Sequence, residues 1–93
     1  MKIHVFGKPG CARCESTKAK LGHFLKKWQV EERVKLDFVR LDTADGLACG
    51  AFNNVYDTMP VTIVFGDDDR ALARWEGDVP PSAEVARALG IKE

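Results

Sequence analysis

At 93 residues the chain suits one domain, residues 1–93, with no room for a second core. It is 45% hydrophobic and 30% charged, and its fourteen Lys and Arg residues balance fourteen Asp and Glu. No basic patch in the sequence is concentrated enough to suggest nucleic acid, no long like-charge block suggests a disordered tail, and the longest apolar runs are too short to span a bilayer.

The opening segment MKIHVFG has one lysine and then a strand-like pattern, without the apolar stretch and small-residue cleavage site of a signal peptide. A cytoplasmic monomer is therefore expected, in a compartment that keeps thiols reduced. Within that segment, Ile3 to Phe6 reads as a short strand ended by Gly7, Pro9 and Gly10. From Cys14, the residues Thr17, Leu21, Phe24, Leu25 and Trp28 recur at steps of three and four, which makes one face of a helix. Leu36 to Leu41 reads as a second strand. Thr43 to Asn54 reads as a short helix capped by Thr43, with Asp45 in its first turn and Leu47, Ala51 and Phe52 sharing a side. Val61 to Phe65 is rich in β-branched residues and reads as a buried strand. Gly66 to Asp69 turns the chain back into a partner strand, Ala71 to Trp75. Pro80 and Pro81 open a last helix that runs through Leu89 and stops at Gly90. The order βαβαββα predicts an α/β fold: a four-stranded mixed sheet with helices on both faces. Its first two strands are parallel through a right-handed crossover, and its last two form an antiparallel hairpin.

The chemistry sits at the first strand–helix junction, in Lys8-Pro9-Gly10-Cys11-Ala12-Arg13-Cys14. Three cysteines are an odd count, which argues for a reactive pair plus one extra rather than a disulfide framework. Cys11 falls where the first helical N–H groups lack backbone partners, and those groups favour an anion. A cysteine so placed titrates at about 3.5–7.5, against ~8.5 unperturbed. Cys14, one turn on, lies on the same side and within disulfide reach. Cys11 can thus attack a substrate disulfide and Cys14 can release the product, with Lys8 and Arg13 lowering the thiol pKa further. The same spacing also serves zinc knuckles and iron–sulfur sites. Four-ligand zinc would have only Cys49, His4 and His23 to complete it, and no second C-x-x-C exists. The expectation is therefore a redox pair with no metal and no cofactor. A metal or 2Fe–2S module using the same cysteines is the alternative.

A second signal is Asp57-Thr58-Met59-Pro60-Val61, in which proline directly precedes a β-rich run. Taken with the element order and the cysteine pair, it makes nearly the whole chain resemble the thioredoxin superfamily. Lys8-x-x-Cys11 and Thr58-Met59-Pro60 look like the glutaredoxin branch, whereas the long hairpin and the lone Gly77-Asp78 look more like thioredoxin. The resemblance implies a thioredoxin-like fold. It also implies a cis Pro60 lying against the cysteine pair and a Met59 backbone that pairs with a bound peptide or thiol. Thr58, Met59, Pro60 and Lys8 would then shape the substrate groove. The substrate would be a disulfide-containing protein or a glutathione-type mixed disulfide, and the electrons would come from an upstream reductase or thiol reductant. Gly10 stands where thioredoxins carry a tryptophan, and Val5 where they carry a buried aspartate, so Cys14 lacks that branch's proton acceptor. A thioredoxin-like binding domain with little turnover is the remaining alternative.

Other residues read as structural. Cys49, on the second helix, reads as a small buried residue rather than a regulatory thiol, His4 as a packed histidine and His23 as a solvated one. Trp28 closes the apolar stripe of its helix, Trp75 packs the hairpin, and Asp67 to Asp69 are turn acids.

Overall fold

The computed structural model describes residues 1–56 and 58–91; Asp57, named above with the second motif, lies outside them. Seven elements follow in order: β1 (Lys2–Gly7), α1 (Ala12–Lys27), β2 (Lys35–Arg40), α2 (Ala44–Phe52), β3 (Val61–Phe65), β4 (Ala71–Glu76) and α3 (Ser82–Leu89). They form the expected βαβαββα order and one four-stranded sheet, β2-β1-β3-β4. β1 and β2 run parallel with Val5 opposite Phe38, and β3 runs antiparallel to both β1 and β4. No helix among the described residues is long and apolar enough to cross a membrane.

Strand alternation gives the sheet two covered faces. Ile3, Val5 and Val64 pack with Leu21 and Leu25 of α1 and with Val85 and Leu89 of α3. Phe6, Val61, Ile63 and Phe65 face the opposite way and pack with Leu41 and Val55, with Cys49 of α2 against them. Each fully buried Val, Ile, Leu or Phe is worth about 1.5–3 kcal/mol relative to exposure, so both layers contribute. α3 ends as its sequence indicates: Gly90 takes the left-handed conformation, φ 74°, that closes the helix.

α2 departs from the sequence expectation. Thr43 does cap it, its hydroxyl accepting the Gly46 N–H at 3.0 Å. The fully buried positions, however, are Gly46 and Gly50, while Ala51 is exposed and Leu47 and Phe52 are 58% and 89% exposed. A Cβ at Gly46 would collide with the Arg40 carbonyl, and one at Gly50 would lie 2.8 Å from a Leu41 methyl. The helix backbone rests directly on the end of β2, and apolar periodicity cannot register a contact made by missing side chains. Phe52→Ser is accordingly expected to change stability by less than about 0.5 kcal/mol, read from the urea midpoint. A loss above about 1 kcal/mol would mean that the ring packs on the core.

Candidate functional site

β1 stops at Gly7, and residues 8–10 turn the chain into α1, with Gly10 at φ 82°. Cys11 is the N-cap, in extended conformation, and its sulfur accepts the Cys14 N–H at 3.3 Å. The thiol thus occupies the place of a capping hydroxyl or carboxylate and meets one of the unpartnered donors of the first turn. The Cys11 carbonyl accepts the Glu15 N–H at 3.0 Å and begins the helical ladder.

The two thiols sit in opposite environments. Cys11 is partly exposed, and its pKa is lowered. The Cys14 thiol, donating to the Cys11 sulfur, is the largest cause, followed by the Cys14 N–H and then by the N–H and charge of Arg13. Cys14 is fully buried, and burial pushes its pKa up, helped by its donation to Cys11. Its sulfur lies on Gly7: a Cβ there would be 2.5 Å from Sγ, 2.8 Å from the Cys14 Cβ and 3.3 Å from the Phe38 ring. The bare α-carbon of Gly7 makes room for Cys14 beneath the helix.

Pro60 arrives at the same end of the sheet. Val61 pairs with Phe6, so Pro60 is level with Gly7 in the next strand. It is fully buried, follows a cis Met59–Pro60 bond, and accepts the Gly77 N–H on its carbonyl at 2.8 Å. Arg13 Nη1 donates to the Gly77 carbonyl at 3.4 Å. Met59 packs against the α2-side core, and Thr58 is exposed. Cys11, Cys14, Arg13, Gly7, Pro60 and Gly77 therefore meet at one end. Lys8 is exposed; its carbonyl accepts the Cys11 N–H at 3.4 Å, and its ammonium charge acts on Asp42. The side-chain charge that bears on Cys11 is that of Arg13.

Gly7 and Gly77 have no place in the sequence-level site. Gly7 reads there only as the end of a strand, and nothing local says that a sulfur from the next helix rests on it. The other residues singled out from sequence take structural places. His4 meets Phe6 and Phe65 edge-on and lies 3.5 Å from Asp37. His23 is exposed, Trp28 stacks on Phe24, and the Trp75 indole donates to Glu84 at 3.1 Å. Cys49 is half-buried rather than buried as expected, because it packs on the rim of the α2-side core. Among the described residues no three His, Cys, Asp or Glu side chains converge as a metal site would require.

No family model and no curated protein matches the chain. Solved structures do. Thioredoxin 1 from the thermophilic eubacterium Thermosipho africanus TCF52B superposes with a TM-score of 0.71 at 18% identity, over 97% of this chain and 91% of that one. A structure described as a malarial protein gives 0.73 at 18% identity, over 96% and 92% of the two chains. A thioredoxin from Thermus thermophilus gives 0.62 at 17% identity, over 96% and 70%. The fold is thioredoxin-like.

Proposed function

We propose that this chain is a thiol–disulfide oxidoreductase that reduces protein or low-molecular-weight mixed disulfides. The observation that carries the reading is the asymmetry of one cysteine pair: an N-capping thiol with a lowered pKa, one helical turn from a buried thiol with a raised one. The Cys11 thiolate attacks one sulfur of the substrate disulfide. A mixed disulfide forms, and the other substrate sulfur leaves as a thiolate. Cys14 then passes its proton to the departed substrate thiolate, attacks the Cys11 sulfur and expels the second substrate sulfur as a thiolate, which takes a proton from water. Two electrons pass to the substrate, and Cys11 and Cys14 end as a disulfide. Pro60 and the Met59 backbone border the groove that holds the substrate, with Thr58 and Lys8 on its exposed surface. An upstream reductase or a thiol reductant restores the dithiol, with no cofactor bound to this chain. We assign this cycle to a monomer in the cytoplasm.

The test is whether the purified protein cycles. The reduced chain should transfer two electrons to a model disulfide, lose two titratable thiols, and regain them with dithiothreitol. One zinc per chain, or two irons per dimer, lost on Cys11→Ser, would instead favour a metal module. Failure to reduce any disulfide despite a reducible Cys11–Cys14 bond would favour a binding domain.

A further inference from the structure

Arg13 lies between the two cysteines, exposed on the first turn of α1. Its hydrogen bond to the Gly77 carbonyl, itself tied to Pro60, holds the guanidinium at a rim shared by α1 and the loop after β4. The same side chain acts on the Cys11 sulfur through its charge. Arg40, Arg70 and Arg74 have carboxylate partners in Asp42, Asp68 and Glu76, and Arg33 and Arg87, like Arg13, have none among the described residues; of these three, Arg13 is the one beside the cysteines and bonded to Gly77. Among the described residues no carboxylate pairs with Arg13, neither nearby Glu15 nor Asp78 beside Gly77. On the other flank, the Lys8 charge is answered in part by Asp42. A guanidinium has five N–H donors in a planar fork that matches a carboxylate. One bond to a carbonyl leaves most of that fork open.

We propose that Arg13 is a specificity-determining residue: it binds the carboxylate of an acidic residue next to the substrate cysteine, so that disulfides in acidic sequence are reduced fastest. This rests on the oxidoreductase reading and adds no chemical step. The bound carboxylate offsets part of the pull of Arg13 on the Cys11 thiolate, so the gain falls in KM and in the encounter rate rather than in kcat. It should fade with salt, as interactions between exposed charges do.

Three symmetric peptide disulfides, identical except for Glu, Gln or Lys beside the cysteine, test it, with neutral 2-hydroxyethyl disulfide as reference. For the native chain, kcat/KM should favour the Glu peptide over the Gln peptide by about five- to tenfold at low salt, with the Lys peptide slowest. The preference should shrink toward unity near 1 M salt. In Arg13→Gln the three peptides should converge to within about twofold of one another, whatever the general loss seen with the reference disulfide. Arg13→Lys, with the charge but not the fork, should restore only part of the preference. Equal rates for all three peptides in the native chain, or a preference that survives Arg13→Gln, would overturn this inference alone. Failure with every disulfide would overturn the oxidoreductase reading and this inference with it.

Discussion

Replacing Cys11 with serine is expected to abolish disulfide reduction, whereas replacing Cys14 with serine should leave the first attack intact and accumulate mixed disulfides. Only the attacking sulfur needs a stabilised thiolate, and the polar groups that lower a thiol pKa converge on Cys11. Alkylation rate against pH should show one component titrating below the ordinary thiol range. Cys11→Ser should remove it. Cys14→Ser should move it upward without removing it, because the Cys14 thiol is its largest donor but the Cys14 N–H remains. The roles assigned here would be reversed if the low component disappeared with Cys14 instead. Stability follows the same groups with opposite signs. The folded-state pKa of Cys11 lies below its unfolded value, so its contribution is present above the unfolded pKa and is lost as pH falls through the lowered one. The folded-state pKa of Cys14 lies above its unfolded value, so its contribution is present below the unfolded pKa and is lost as pH rises through the raised one.

Gly7→Ala should have the largest effect on stability of any single-methyl change near the site. The new Cβ would fall 2.5 Å from the Cys14 sulfur and 2.8 Å from its Cβ, inside van der Waals contact, with the Phe38 ring at 3.3 Å closing the remaining side. Overpacking of this kind costs about 1–3 kcal/mol, and urea unfolding of the reduced protein would measure it. The methyl should also push α1 away from the sheet and let water reach Cys14, so the separation between the two thiol pKa values should narrow. Cys14→Ala removes the nearest atom. In a double-mutant cycle the alanine at residue 7 should then cost less by on the order of 1 kcal/mol. An equal cost in both backgrounds would place the clash somewhere other than the sulfur.

The element order and the cysteine site are legible in the sequence because their determinants are local. Period-two and period-3.6 patterns, the Thr43 cap, the Gly90 stop and the placement of Cys11 ahead of a helix each depend on a few neighbouring residues. Three features are not local. The packing of α2 through Gly46 and Gly50 depends on how closely its backbone approaches the end of β2. The seat of Cys14 on Gly7 joins a helix to the strand before it across a turn. The division of charge between Lys8 and Arg13 depends on which side chain reaches Cys11 in space: both flank it in sequence, but Lys8 acts on Asp42 and Arg13 on the sulfur.

β1 precedes the other described elements in the chain and is an interior strand of the sheet, flanked by β2 on one side and β3 on the other. During synthesis it has no neighbour on the first side until residue 40 has emerged, and none on the second until residue 65 has. Pairings this distant in sequence form slowly, because loop closure must be overcome before any contact rewards it. The bond from the Cys14 N–H to the Cys11 sulfur spans one turn and can form as soon as α1 does. The burial of Cys14 awaits the seating of α1 on Gly7 of β1, beside the Phe38 ring of β2. In a nascent chain the Cys11 sulfur therefore gains its N–H donor first, while the Cys14 thiol stays accessible until α1 and the strands come together.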